Sequence, residues 1–265
     1  MLRIGISGAT GRMGRTLVQA VHSTDGVKLS MALEYEGNPS VGKDAGAVAG
    51  IEIQNVSITD QFSKDDFDVL IEFTLPEATV IHAEQCVEAG KPIVIGTTGL
   101  TDSQLETLHR AAETLPVVLA PNMSVGVNVC LKLLQTAAQA FGDSVDIEVI
   151  EAHHRHKIDA PSGTALKMGE VVADALGRTL KEDGVFSRHG RTGERERKSI
   201  GFSTIRGGDI VGDHTVMFIG AGERIEITHR SNSRMTYASG AVRAAQWVAK
   251  QPPGFYGMSD ILNLD

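Results

Sequence analysis

The sequence predicts an α/β chain, a parallel-sheet domain joined to a second α+β domain with an open mixed sheet. Three observations carry this. A short apolar run, a glycine-rich turn and an amphipathic run open the chain in that order. Apolar strands and helical segments then alternate as far as about residue 124, which is the grammar of a parallel sheet covered on both faces. Beyond that point strand-like runs follow one another with little helix between them.

Each element has its local reason. Leu2–Ser7 is a short apolar strand, residues 8–14 form a tight turn, and Met13, Leu17, Val18 and Val21 recur at helical spacing. Val27–Leu33 is a second strand, ending at Glu34. Residues 68–73 read as a strand, Pro76 as a helix start, and the helix over 77–89 stops at Gly90. Residues 92–95 form a strand with Gly96, Thr97 and Thr98 at its carboxyl end. Thr101 caps a helix that runs through Glu113, and 116–120 is another strand.

In the second half a helix covers 127–140. Residues 145–150 form a strand leading into a polar cluster, and a helix runs over 163–176. Residues 178–198, rich in Arg and Gly, read as one long loop. Strand-like runs at 199–205, 209–218 and 224–228 follow. Residues 235–250 are helical, with Ala238, Ala241, Val242, Ala245 and Val248 on one stripe.

Composition narrows the function classes. A chain of 265 residues suits about two domains. Apolar residues make up 42% and charged residues 22%, enough to bury a core, which excludes a disordered chain. Lys and Arg number 25 against 33 Asp and Glu, so no basic surface is available to drive non-specific nucleic-acid binding. Cys86 and Cys130 lie far apart and offer neither a disulfide framework nor a paired zinc site. No secretory signal opens the chain. The uncharged stretch 114–131 is broken by Pro116, Pro121, Asn122, Gly126 and Asn128, so it does not read as a membrane span. The expectation is a soluble cytoplasmic protein with no nucleic-acid or membrane partner.

Two stretches carry chemistry. Gly8-Ala9-Thr10-Gly11-Arg12-Met13-Gly14 is a G-x-x-G-x-x-G variant of the dinucleotide fingerprint, and it makes the first domain Rossmann-like. The turn needs unusual dihedrals, the backbone must approach a pyrophosphate, and the helix must pack closely on the strand. Glu34 stands where an acid accepts from ribose hydroxyls. The loops Gly96-Thr97-Thr98 and Ala120-Pro121-Asn122-Met123 end strands of the same sheet and are candidates for the nicotinamide end; the alternative is an ordinary loop at each.

The other stretch runs from Glu151 to Ala165. His153, His154, Arg155, His156 and Lys157 make a local cationic pocket in an acidic protein, suited to a small anionic substrate. Pro161-Ser162-Gly163-Thr164 opens a helix, with Ser162 as N-cap, and offers free N–H groups to a carboxylate. A histidine there is a natural proton donor near neutral pH. Three plainer readings stand beside this one: His154 and His156 as metal ligands, a solvated basic loop, and Ser162 as a nucleophile.

With both stretches in hand, the chain resembles the 4-hydroxy-tetrahydrodipicolinate reductase (dihydrodipicolinate reductase) family over about residues 2–264. The run Glu151–Ala165 is its most specific mark. Residues 8–14, 94–99, 122–128 and 207–214 match as well. The resemblance implies a Rossmann-like domain of residues 1–124 and 234–265, and a middle of 125–233 that binds substrate and builds a homotetramer through its sheet. It implies reduction of the cyclic dicarboxylate to tetrahydrodipicolinate with NADH or NADPH, in the diaminopimelate route of lysine biosynthesis. Carried over by position, His153 matches the catalytic acid/base and Lys157 the second proton donor. His154, Gly163 and Thr164 match substrate contacts. Residues 8–13, Glu34 with its neighbour Tyr35, Gly96–Thr98 and Ala120–Met123 match cofactor positions. Some members follow the acid with an arginine that pairs the 2′-phosphate of NADPH. Tyr35 stands there instead, which favours NADH, with Arg12 left to reach the phosphate.

Two competing readings make different demands. A semialdehyde dehydrogenase needs a nucleophilic cysteine, and Cys130 sits in an apolar helix. A nicotinamide-sensing regulator needs a DNA-binding face, and no such motif is found.

Overall fold

Each apolar run of the first half becomes a parallel strand in the computed structural model, which describes residues 1–264. The chain opens with β1 (Leu2–Ser7), α1 (Arg12–His22), β2 (Val27–Leu33), α2 (Ala45–Ala49) and β3 (Ile58–Thr59). It continues with β4 (Val69–Glu72), α3 (Pro76–Ala89), β5 (Ile93–Ile95), α4 (Asp102–Ala112) and β6 (Pro116–Leu119). Then come α5 (Val125–Phe141), β7 (Asp146–His153), α6 (Gly163–Ala175), α7 (Leu180–Asp183) and β8 (Gly184–Val185). The strands β9 (Ile200–Arg206), β10 (Gly212–Ile219) and β11 (Arg224–Ser231) precede α8 (Met235–Val248), β12 (Gly254–Tyr256) and α9 (Met258–Leu262). Residues 1–125 with 234–264 form one unit, and Gly126–Ser233 forms the other.

The first unit is a seven-stranded sheet in the order β3-β2-β1-β4-β5-β6-β12, with every pairing parallel. All strands therefore present their carboxyl ends at one edge, and the order reverses between β1 and β4. In open parallel sheets that reversal point is where ligands bind. β4 and β5 are buried at every residue, so they read as continuous apolar runs rather than alternating ones. One face packs Ile4, Ile6 and Val69 against Leu17 and Val21 of α1 and Ala241, Ala245 and Val248 of α8. The other packs Leu70, Ile93, Ile95 and Val117 against Ala83 of α3 and Leu108 of α4. The expected caps form: Thr101 closes a capping box with Gln104, and Gly90 ends α3 with φ 62°.

The second unit is a mixed five-stranded sheet, β11-β10-β7-β9-β8. β10 runs antiparallel to β7 and β11, while β7, β9 and β8 are parallel. Helices α5 and α6 cover one face, where Leu134, Ala138, Met168 and Val172 meet Ile147, Val149, Phe202, Val216 and Phe218. Burial alternates strictly along β7. The same face that is apolar at Ile147 and Val149 turns polar at Glu151 and His153.

Several elements differ from the sequence reading. The short α2, β3, β12 and α9 lie below the length at which periodicity speaks. β7 runs three residues past 150, and β10 starts at Gly212 rather than 209. Residues 178–198 are not one loop: they include α7, capped by Thr179, and the edge strand β8. Two of their arginines, Arg178 and Arg195, serve the fold. The buried Arg178 donates to the Lys198 carbonyl and pairs with Asp143. Arg195 ties Asp146, Glu148 and the Ile147 carbonyl to the Ser199 carbonyl. Among the described residues, no helix is long and apolar enough to cross a membrane.

The closeness of α1 to the turn before it can be tested. A Cβ at Gly14 would sit 2.0 Å from the Gly8 carbonyl oxygen and 2.7 Å from Ala9 Cα. We predict that Gly14→Ala destabilises the protein by about 1–3 kcal/mol or more. Thermal melts should show a drop of several degrees, and an unchanged Tm would contradict the packing.

Candidate functional site

The carboxyl edge of the first sheet collects the nucleotide-type residues. Gly8 follows β1 with φ 68°, a conformation that costs glycine nothing. Gly11 is the N-cap of α1 and makes no side-chain cap bond, so the first turn of the helix offers backbone N–H groups outward. Ala9 is buried, whereas Gly11 and Arg12 are exposed and Thr10 and Met13 are half-buried.

Glu34, one residue past β2, is pinned to this turn. Its Oε1 accepts from the Thr10 N–H and from Thr10 Oγ1, both at 2.7 Å, and its Oε2 accepts from Asn38 Nδ2 at 3.0 Å. Asn38 was not singled out from sequence; a polar residue four places after the acid was the only signal. Tyr35 is 67% exposed beside it.

The loops after β4 and β5 are joined from beneath. Glu72, fully buried at the end of β4, holds His82 Nδ1 at 2.6 Å and bonds Thr74 Oγ1. Thr79 Oγ1 lies 2.8 Å from Thr97 Oγ1, which also accepts from the Thr74 N–H. Thr97 thus turns its hydroxyl inward, while Thr98 is exposed and Gly96 half-buried. Beyond β6, Ala120 and the Met123 side chain are buried in the core, Asn122 is half-buried and its side chain accepts from the Ser124 N–H, and Pro121 is exposed.

In the second unit the sheet assembles a polar cluster around β7. Glu151 and His153 are two residues apart on one face. Register sets His214 of β10 opposite Glu151 and Arg206 of β9 beside His153. His153 Nδ1 lies 2.6 Å from Glu151 Oε2, and the two guanidinium nitrogens of Arg206 each donate to Glu151 at 2.8 Å. The Ser162 N–H donates to Glu151 Oε1 at 3.0 Å. Ser162 caps α6, as its side chain accepts from the Ala165 N–H, and its Oγ lies 2.9 Å from His214 Nε2. That hydroxyl is buried in a capping role. Gly163 is exposed at the first turn of α6, and Thr164 is half-buried.

The loop after β7 carries the remaining cations. Lys157 Nζ donates to Asp159 Oδ1 at 2.8 Å, and the His154 and His156 rings lie 6.2 Å apart. Arg206 was missed from sequence, and His214 was quoted only as the end of the 207–214 match with no role, because both come from other strands. Glu151 was quoted, but its spacing to His153 gave no role until β7 proved to continue.

The electrostatics follow from these contacts. Burial opposes the charge on Glu151, but Arg206, His153 and the Ser162 N–H outweigh it and hold the carboxyl below its ordinary range. The Lys157 contact likewise lowers Asp159. For His214 the balance goes the other way: burial, with His153 nearby, outweighs the attraction of Glu151 and pushes it down to about 4. Both cysteines are buried, and desolvation raises both thiols, the reverse of what a nucleophile requires.

A pH test follows from His214. Its folded pKa lies below the ordinary 6.5, so its neutral form stabilises the fold fully above about pH 6.5. That stability is lost as pH falls toward about 4, by up to about 3 kcal/mol. Urea unfolding at pH 7 and pH 5 should show His214→Gln less acid-sensitive than wild type. Identical pH slopes would contradict the assignment.

Comparison with known proteins finds matches to both halves of the chain. Family models described as "Dihydrodipicolinate reductase, N-terminus" and "Dihydrodipicolinate reductase, C-terminus" match residues 2–123 and 126–262. A 4-hydroxy-tetrahydrodipicolinate reductase of Alkalilimnicola ehrlichii is 58% identical over 264 residues, covering 99% of each chain. The solved dipicolinate-bound dihydrodipicolinate reductase from Paenisporosarcina sp. TG-14 aligns with TM-score 0.75 over 97% of both chains at 24% identity. A probable dehydrogenase from Thermotoga maritima shares the fold with TM-score 0.61 at 12% identity, over 99% of this chain and 93% of its own. With both halves matched in order and a full-length relative at this identity, the chain belongs to the dihydrodipicolinate reductase family of oxidoreductases.

Proposed function

We propose that this protein reduces 4-hydroxy-tetrahydrodipicolinate to tetrahydrodipicolinate with NADH or NADPH, in the diaminopimelate route of lysine biosynthesis. The observation that carries the chemistry is the His153 imidazole, held by a buried carboxylate beside the start of α6. The bound nicotinamide supplies a hydride. The residues of the glycine turn fit its dinucleotide: Gly8 and Gly14 bring backbone to backbone, and the α1 start has no side chain in the way. Thr10, Arg12, Met13, Glu34 and the loops at 96–98 and 120–123 line the same sheet edge and take the remaining cofactor contacts.

In the second unit Lys157 and the N–H groups at Gly163 and Thr164 bind the carboxylates of a small dicarboxylate, with His154 beside them. His153 donates the proton that balances hydride addition, and Lys157 assists. The net change consumes one hydride and one proton and releases water. The open face of the second sheet, with Ile205 exposed, is the surface we assign to homotetramer formation. Size-exclusion with light scattering tests that state. Two free cysteines suit a reducing compartment, and we place the enzyme in the cytoplasm.

Loss of a general acid typically costs about 10²–10⁴ in rate. His153→Ala should lower kcat on that scale with little change in cofactor KM, read from oxidation of the reduced nicotinamide with freshly generated substrate. Near-normal turnover would sink the assignment.

Cofactor choice gives a second test. Glu34 repels a 2′-phosphate, and Tyr35 brings no charge to offset it. A missing charge-assisted contact costs about 1–3 kcal/mol, roughly tenfold to a hundredfold in affinity. We expect a preference for NADH, with Tyr35→Arg improving NADPH selectively. Values of kcat/KM for both cofactors at matched salt decide it. A wild-type preference for NADPH refutes the Tyr35 argument alone.

A further inference from the structure

His153 ends β7, where a strand gives an imidazole no orientation of its own. Its ring is nonetheless fixed. Glu151, 1% exposed, accepts four donors: the His153 Nδ1–H and Arg206 Nη1 on Oε2, and Arg206 Nη2 and the Ser162 N–H on Oε1. Arg206 is itself held by the carbonyls of Ile205 and Asp159. A carboxylate gripped in this way cannot turn, and neither can the ring it holds.

We infer that Glu151 is the positioning residue of the His153 proton donor, and that the same carboxylate ties this donor to the anion-binding start of α6. The inference rests on the reading of His153 as the acid.

The chemistry of the contact is specific. An ionised carboxylate only accepts, so it keeps a proton on Nδ1 and leaves Nε2 as the nitrogen that exchanges one with substrate. Space is kept on that side. Gly212 of β10 lies against Nε2, and a Cβ there would sit 3.1 Å from it. The neighbouring imidazole is used differently. His214 stands edge-on with its ring 5.0 Å from His153, has Ser162 on its Nε2, and has no carboxylate of its own. Of the two imidazoles, only His153 bonds the carboxylate directly. The titratable groups around the pair are Glu151 on β7, Arg206 on β9, His214 on β10, His229 on β11 and Lys157 on the following loop.

A plain structural salt bridge between Glu151 and Arg206 would also explain the burial, so the test must separate the two roles. Glu151→Gln keeps volume and removes charge. With substrate and NADH, kcat should fall tenfold to a hundredfold while cofactor KM stays constant. In a His153→Ala background the same substitution should cost little more, since its effect passes through that ring. Losses that instead add fully, or a cofactor KM that changes with kcat, mark a structural role and overturn the proposal.

If Glu151→Gln does not fold, the wild type decides. Histidine-selective ¹⁵N labelling, with His153 assigned by its loss in His153→Ala, should show the Nδ1-protonated tautomer above neutral pH. The opposite tautomer overturns the proposal. Normal turnover in His153→Ala would overturn the reading of His153 and this inference together. An impaired His153→Ala beside a wild-type-like Glu151→Gln overturns the inference only.

Discussion

A charge taken out of water must be met by donors or the fold does not form, and two buried carboxylates impose that condition on this protein. Glu151 closes the second unit. Its oxygens draw together the end of β7, the arginine of β9 and the cap of α6. Remove the carboxylate and three elements lose their common partner. The polar half of that sheet face exists because the apolar half, under α5 and α6, already fixes the strand register.

Glu72 plays the corresponding part in the first unit. It ends β4 fully buried, with a histidine Nδ1 at 2.6 Å, as Glu151 has. Its second oxygen and the hydroxyls of Thr74, Thr79 and Thr97 join the loops that follow β4 and β5. In each unit, then, a carboxylate on a central strand sets the geometry of loops that hold candidate site residues. Rigid support below and exposed groups above is the arrangement a functional site requires.

The charge pattern has the same logic. The chain is acidic overall, yet cations gather in the second unit. Several of them serve the fold. Arg178, Arg188, Arg195 and Arg206 are occupied with Asp143, Glu148, Asp146 and Glu151. Among the described residues, Lys157 has only Asp159, more than half exposed, as its ion-pair partner. An ion pair with so exposed a partner is worth little to the fold.

Much of this was legible in the residues alone. The glycine turn, the strand–helix alternation, the caps at Thr101 and Ser162 and the cationic run after β7 are local signals, because helix caps, tight turns and buried strands are decided within a few residues. The family resemblance added the expectation for His153 and Lys157. What the tertiary structure alone decided was the partnership of distant side chains. Arg206 lies 55 residues from Glu151, and His214 lies 52 from Ser162. Asn38 and His82 became meaningful only beside Glu34 and Glu72. No periodicity encodes such pairs. They arise when strands settle into register, and register is fixed by the burial of a whole face rather than by any residue in it.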